Sequence, residues 1–541
     1  MNAQADVGTL EGVFRTLLVL LVILAGYRFV RPTSPHRLPP LVSSSAYIPY
    51  VGSAIEFNRA PLKFLRECHR KYGGPFRVRF MGKEMVIVVG RDDFTPVIRN
   101  KALSFDPVME DAMKSIFQCD SKEPELRFED ADGGPIEDEH NGLWHRTHAQ
   151  YPPLLRSRTA VAGLTARTFR FVNDSLWRLA SEQGGRPQEV NLFAWIEKLT
   201  FGAVLRSLFG ECSCLGTVDE VFGVYGQLHD AFPILAAGLP PFVTKLAAGK
   251  QLEAYDRLVT KWQRMILDDD QQGMADACEL INVRNGDFER QFKYKVGSSG
   301  ERQERAALLQ AKFHASLLFG GYTNTAPTLF WMIYYLARDP RAWQAVYDEI
   351  RRELGDPDEG DVAWTSADLD RLSVMDSALT ETLRLTNGAS MPRVAMTDTT
   401  LTFGHGASAR TYDVPAGQHI MMVGVRGARV ADEVGDEEFD NDADEFRFDR
   451  YANGKQPTGA RNVTPFGAGG FMCPGRFWAR NVVKTAVALF MINIERVEFA
   501  SEQAGPLEFD LSRVLMGIYR PVGDVAVHLH WRSRADRVAG Q

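Results

Sequence analysis

The densest chemistry in this chain lies in one stretch, TPFGAGGFMCPGRFWARNVVKTAVALF, from Thr464 to Phe490. Gly467, Gly469 and Gly470 put no Cβ between the backbone and a flat ligand lying on the loop. Cys473 then stands at the mouth of a helix, Pro474 has the fixed φ of a first helical turn, and Gly475 allows close packing. Unpaired N–H groups and partial positive charge at a helix N-terminus favour thiolate over thiol. A thiolate held against a glycine-rich surface is what an axial haem ligand needs, and its electron donation favours O–O cleavage. For Cys-Pro-Gly alone, the plain alternative is a buried structural cysteine beside a turn.

Two further elements weigh against that alternative. Glu381 and Arg384, in ALTETLRL, sit at i and i+3 on one helical face, where they can pair. Arg450, in FRFDRY, lies in a loop ahead of the cysteine. Together with the spacing Phe466-x-x-Gly469-x-x-x-Cys473-x-Gly475, these residues form a specific set. On them the chain resembles the cytochrome P-450 family of haem-thiolate monooxygenases, over nearly all of its body. The resemblance implies haem b with Cys473 as the axial ligand of its iron, and Phe466, Gly469 and Gly475 in the ligand loop. It also implies an ion-paired network of Glu381, Arg384 and Arg450 that braces the loop. One position departs from the family: the basic residue usually found two before the cysteine, which meets a haem propionate, is Phe471 here. Propionate pairing is then expected from Arg393, in SMPRVAM, or from His148, in LWHRTH, where the family often has W-x-x-x-R. Each could instead be a surface or packing residue.

The run AALLQAKFHASLLFGGYTNTAPTLFWMIYYLARDP resembles the family's long distal helix. Members usually carry there an acid–alcohol pair that relays protons toward the haem. In this chain Thr323 takes the acid position and Asn324 the alcohol position, with Thr325 one residue further, about 100° round the helix. Pro327 has no N–H for the carbonyl of Thr323, so a distorted groove is expected at this point; the alternative is a packing kink only. Asn324, Thr325, Pro327, Phe330 and Trp331 resemble the branch that holds cholesterol 7α-hydroxylase, sterol 12α-hydroxylase and prostacyclin synthase. That branch implies two chemistries. One is monooxygenation of a sterol-like or terpenoid carbon with O2 and electrons from NADPH through a membrane reductase. The other is reductase-independent rearrangement of a lipid peroxide. A haem protein without turnover is a third reading, disfavoured by the intact cysteine loop.

Positioning these residues takes a large body. The chain has 541 residues, 45% of them hydrophobic, which excludes disorder, collagen and coiled coil. Its net charge of −7 gives no basic footprint for nucleic acid, and six cysteines are too few for a disulfide scaffold. β-like runs PFRVRF and EMVIVVG come early, helical patterns dominate from about Leu164 to Leu385, and LTFG and IMMVGV form a second β-rich stretch. A helix from about Pro474 to Ile494 and a strand-like tail VAVHLHW follow. The fold class expected is mainly α with a small β portion (α+β), the cytochrome P-450 fold, behind one N-terminal transmembrane helix.

Residues 1–30 read as that anchor: TLLVLLVILAGY is uncharged, acidic residues precede it, and Arg28, Arg31 and Arg37 follow it. The positive-inside rule then leaves the catalytic part cytosolic, and the resemblance implies the endoplasmic reticulum membrane. A cleaved signal or a buried helix are the alternatives. Residues 31–40 read as a proline-rich hinge and 41–541 as one catalytic domain. The acidic segment from Asp432 to Glu445 reads as a solvated loop, and Cys212-x-Cys214 as structural for want of a second half-site. Expected partners are the lipid bilayer, a lipophilic substrate and an NADPH–cytochrome reductase; Lys455, Arg461, Arg480 and Lys484 could dock an acidic face of the reductase or be solvated basic residues. The pocket is expected around Phe319–Asn324, Ser390–Met391 and Leu515–Tyr519, with the stretch from Phe232 to Val243 as a lid.

Overall fold

A computed structural model describes residues 37–42, 51–80, 82–90, 93–119, 143–183, 186–211, 216–236, 241–267, 276–293, 300–355, 363–424, 442, 444–452, 464–500 and 506–532. The expected anchor, most of the hinge, Cys212, Cys214, Lys455 and Arg461 lie outside them, as does nearly all of the acidic loop. Among the described residues no helix is long and apolar enough to cross a membrane.

The described strands are β1 (Phe76–Phe80), β2 (Lys83–Val89), β3 (Leu103–Ser104), β4 (Gln188–Asn191), β5 (Ser390–Ala395), β6 (Thr399–Phe403), β7 (Arg410–Val414), β8 (His419–Val423), β9 (Ile494–Phe499) and β10 (Ala526–Trp531). The described helices begin with α1 (Ala54–Arg59), α2 (Pro61–Tyr72), α3 (Phe94–Arg99), α4 (Asp106–Phe117), α5 (Leu143–Arg156) and α6 (Arg158–Gln183). They continue with α7 (Leu192–Phe209), α8 (Val218–Ala236), α9 (Pro241–Leu267), α10 (Glu279–Lys293) and α11 (Gly300–Tyr322). The last are α12 (Thr325–Arg338), α13 (Pro340–Glu353), α14 (Ser366–Asp370), α15 (Ser373–Thr386) and α16 (Arg476–Asn493). The body is therefore mainly helical with a small β portion, as the sequence patterns imply.

The chain divides into two units. The first, residues 1–105 with 390–423, holds the sheet β1-β2-β8-β5-β3 and the hairpin β6-β7. β1 and β2 pair antiparallel across a turn where Gly82 takes φ 81°, a conformation that favours glycine. β2 then runs parallel to β8, and its second half, Val86 to Val89, is buried without alternation, as in a strand covered on both faces.

The second unit, residues 106–389 with 424–541, holds the other helices and the sheet β4-β10-β9. Its core has two apolar clusters. One gathers α4, α8, α9 and α11 around Trp262, Tyr225 and Tyr322; the other gathers α6, α12, α15 and α16 around Trp331, Met375 and Phe490. Every residue of α16 from Asn481 to Asn493 is buried. At about 1.5–3 kcal/mol for each large apolar side chain fully withdrawn from water, that helix is a main pillar of the unit. Its polar groups find partners inside: Asn481 donates to Thr165 (3.0 Å) and Ser366 (2.9 Å), and Trp478 Nε1 to Thr168 (3.3 Å).

Two boundaries differ from expectation. α16 starts at Arg476 with Gly475 as its N-cap, so Pro474 lies just outside; its first helical bond runs from Ala479 N–H to the Gly475 carbonyl at 2.8 Å. The long distal helix is two helices, α11 and α12, separated at Thr323 and Asn324. Pro327 cannot donate to the Thr323 carbonyl, and two hydroxyls reach back across the junction: Thr325 to Gly321 O (2.8 Å) and Thr328 to Asn324 O (2.7 Å). α13 then opens sharply, because Asp339 caps the amides of Arg341 and Ala342 and Pro340 occupies its first turn.

Candidate active site

The loop ahead of α16 closes on itself through Cys473 N–H, which donates to the Phe466 carbonyl at 2.9 Å. Gly467 and Gly469 take φ 75° and 72°, and a single 3-10 turn spans Gly469–Phe471. A Cβ built on Gly470 would meet nothing within 4 Å, so this stretch presents bare backbone to open space. The side chains of Phe471 and Phe477 are exposed beside it, and Cys473 is exposed too. A bare glycine turn, an accessible sulfur and flanking aromatic rings fit a flat apolar macrocycle laid on the loop.

The surroundings tilt the cysteine both ways. Cys473 is open to solvent on one side, but the protein atoms packed around its sulfur desolvate it and push its pKa up, while the N–H groups of Gly475 and Arg476 and the Arg476 charge pull it down; the net direction is up. The helix N-terminus alone therefore does not make the thiolate expected from sequence; a coordinated metal ion would deprotonate it.

A four-charge cluster joins α15 to the segment that precedes the loop in sequence. Glu381 is completely buried on α15, and Arg384 grips it twice, Nε to Oε2 at 2.7 Å and Nη2 to Oε1 at 2.9 Å. Arg450 Nε reaches the same Oε1 at 2.9 Å, and its Nη1 bonds Asp442 Oδ1 at 2.7 Å. Arg447 N–H adds a bond to Glu381 at 3.2 Å, and Tyr451 N–H donates to Ser377 Oγ at 2.9 Å. Two carboxylates thus balance two buried guanidinium groups, and the segment 442–451 is tied to α15. Burial opposes the Arg450 charge, but Glu381 and Asp442 outweigh it and hold its pKa above the ordinary range. Asp442 is a member the sequence reading missed; only its place eight residues before Arg450, within the acidic run expected to be a solvated loop, hints at it.

The distal residues gather where α11 breaks from α12. Asn324 Oδ1 accepts from Ile518 N–H at 2.9 Å, and a Cβ on Gly517, whose φ is 145°, would fall 2.3 Å from that oxygen. The segment Leu515–Tyr519 is also pinned by the last residue of α15 and the turn after it: Leu515 N–H donates to the Gly388 carbonyl, Gly388 N–H to the Gly517 carbonyl (3.0 Å each), and Tyr519 N–H to the Thr386 carbonyl (2.9 Å). Trp331 Nε1 donates to the Tyr519 carbonyl at 2.7 Å. The Thr325 hydroxyl is spent on Gly321, whereas Thr323 is half-buried at the break itself. Phe232 of the expected lid stacks on Phe319 at 5.6 Å. Within the second unit, therefore, Phe232 meets Phe319, and Asn324 meets the segment 515–519. Ser390 and Met391 belong to β5 in the first.

A network missing from the sequence reading anchors the same segment. Arg520 Nη2 bonds Glu197 Oε2 at 3.0 Å and its Nη1 meets His229 Nδ1 at 2.8 Å, while Arg513 donates to the His229 carbonyl at 3.0 Å. Burial and the two guanidinium charges drive the His229 pKa down to about 2, so the ring stays neutral and accepts. The two propionate candidates stand on separate elements. Arg393 is buried in β5, bonded to the Pro392 carbonyl (2.7 Å) with Phe105 6.0 Å from its guanidinium carbon; His148 is half-buried on α5 with its ring 5.0 Å from Tyr151.

One docking expectation fails. Lys484 is 4% exposed and its Nζ bonds Asp376 Oδ1 at 2.7 Å, so it has no free face for a reductase. Arg480 pairs with the same carboxylate at 2.8 Å. Burial works against the Asp376 charge, but Arg480 and Lys484 outweigh it and lower its pKa. Because the folded-state pKa lies below the unfolded one, the stabilisation is complete above that unfolded value, near pH 4, and is lost as pH falls through the depressed pKa. Lys484→Met is therefore expected to destabilise by about 1.5–3 kcal/mol at neutral pH, because Asp376 loses one of its two cations and keeps only Arg480. The deficit should shrink below about pH 4, where Asp376 takes up a proton. Acid-dependent denaturant melts of the two proteins check this; an equal deficit at neutral pH and pH 3 contradicts it.

Comparison with known proteins agrees with this geometry. The family model for cytochrome P-450 matches residues 43–520. Prostacyclin synthase of Rattus norvegicus is 27% identical across 91% of this chain and 94% of its own length. Cholesterol 7-alpha-monooxygenase of Cricetulus griseus is 25% identical, with 90% and 92% covered. The 7-alpha-hydroxycholest-4-en-3-one 12-alpha-hydroxylase of Oryctolagus cuniculus is 24% identical, with 94% and 97% covered.

Proposed function

Because this chain belongs to the cytochrome P-450 family, whose members carry haem on a cysteine thiolate and draw electrons from redox-partner reductases, we propose that it oxidises a sterol or sterol-like terpenoid carbon. The observation that carries the reading is likeness along nearly the whole chain to enzymes named as sterol 7α- and 12α-hydroxylases. When bound, the haem supplies the oxidising chemistry, and the protein supplies orientation and a dry pocket. In this reading Cys473 is the axial ligand, with Phe466, Gly469 and Gly475 shaping its loop, and Glu381, Arg384 and Arg450 keep that loop in place. Arg393 or His148 meets a propionate.

Asn324 has two tasks here. Its amide oxygen holds Ile518 N–H, leaving the amide N–H groups to orient a substrate oxygen or a water. Thr323, at the same break, is the candidate to pass a proton, and the Thr325 hydroxyl keeps the junction shut. Asn324→Ala should therefore cost only about 1 kcal/mol of stability, the usual value of one hydrogen bond. It should still loosen the segment from Leu515 to Tyr519, so the ratio of products changes while haem content does not. Unchanged product ratios contradict this role.

The proposed setting is the endoplasmic reticulum membrane, with residues 1–30 as a single anchor, the catalytic body cytosolic, and a lipophilic substrate arriving from the bilayer. The test is to incubate membranes bearing the protein with sterols, terpenoids and lipid hydroperoxides, with and without NADPH and reductase. Products one oxygen heavier, formed only with reductase, support the proposal. Likeness to prostacyclin synthase favours the second reading, and products of unchanged mass formed from peroxides alone would establish it instead.

A further inference from the structure

Arg284, on α10, is 1% exposed, and among the described residues no carboxylate pairs with it. Its Nη2 donates to the Phe313 carbonyl at 3.0 Å, while Nε and Nη1 are buried without a partner. Its guanidinium carbon lies 5.7 Å from the ring centres of both Tyr151 and Phe313. Asp287, one turn further along α10, is already bonded by the Gln150 amide. The next residue of α11, His314, is also 1% exposed, and both of its ring nitrogens are buried without a partner. Phe209 meets its ring edge-on at 5.5 Å.

A guanidinium does not shed its proton, and the imidazole beside it stays neutral and keeps one N–H to donate. A full positive charge with two unpartnered nitrogens, and an imidazole close enough to be disfavoured as a cation by it, therefore lie at the Phe313–His314 peptide, and among the described residues neither Arg284 Nε and Nη1 nor the His314 ring has an acceptor. Water could take the hydrogen bonds but would leave the charge uncompensated in a dry interior. We propose that Arg284 and His314 form a buried binding site for a small monovalent anion of chloride or bromide size, clamping α10 to α11. It would stiffen the helix that ends at the Thr323–Asn324 break.

Bromide is the probe. Crystals of the haem-loaded enzyme soaked in bromide should show an anomalous peak within hydrogen-bond reach of Arg284 Nε and Nη1. In solution, replacing gluconate by bromide at constant ionic strength should raise the thermal midpoint of the holoenzyme saturably, as a ligand of the native state does. Arg284→Met, neutral and of similar length, should lose that rise and should melt in gluconate no earlier than the wild type. His314→Phe should weaken the bromide response about tenfold, the loss of one charge-assisted hydrogen bond. Ordered water without anomalous signal overturns the proposal, as do equal midpoints in the two salts or a bromide response that survives in Arg284→Met. If Arg284→Met does not fold, the anomalous map of the wild type decides alone.

Discussion

Glu381→Ala is expected to give protein that holds little or no haem. The substitution removes the one carboxylate that two buried guanidinium groups share, Arg384 at 2.7 Å and Arg450 at 2.9 Å. Breaking a buried pair by deleting one partner costs roughly 3–5 kcal/mol, and here two buried cations lose their shared carboxylate while Asp442 still pairs with Arg450. The cheapest relief is for the segment 442–451 to leave α15, taking with it Arg447 N–H and the Tyr451–Ser377 bond. Because that segment leads into the cysteine loop, haem retention should fall by more than about tenfold, the equivalent of 1.4 kcal/mol. Haem per protein, measured after denaturing extraction, checks this, and full occupancy would contradict it. Glu381→Gln, which keeps the shape but not the charge, should fall between the two.

Cys473→Ala should act on the chemistry more than on the loop. The loop is closed by backbone, Cys473 N–H to the Phe466 carbonyl, and by glycines at φ 75° and 72°, none of which needs the sulfur. The variant is therefore expected to fold with its melting behaviour little changed. Its absorption spectrum should lack the thiolate signature, and turnover should fall to the uncatalysed background. Retained turnover would remove Cys473 from the proposed ligand position. The two variants separate the roles: one loses the haem, the other loses the ligand.

Much of this was legible because it is local. The cysteine loop, the Glu381–Arg384 spacing and the alternation of β1 each lie within one element or one turn, where residue spacing translates directly into a shared face. The fold class followed from the same periodicities. What escaped was long-range. Asn324 meets Ile518 across 194 residues of sequence, and Arg520 meets Glu197 across 323, so no local pattern records either. Lys484 was misread as a docking residue because a lysine is usually solvated. Its neighbours, NVVKTAVALFMIN, are apolar on every face, the mark of a buried helix in which a charge must have a partner. The split of the distal helix was half visible: Pro327 announced a distortion, but not that hydroxyls of Thr325 and Thr328 would cap both sides of a full break.

The central claim is that oxygen from O2 enters a lipophilic carbon with electrons from NADPH. The most direct measurement is turnover under isotopically heavy dioxygen, with reductase and a sterol panel, followed by mass analysis of the products. Monooxygenation gives products that carry one heavy oxygen atom and appear only when the reductase is present. Products that carry none, or that form at full rate from peroxides without reductase, would contradict it.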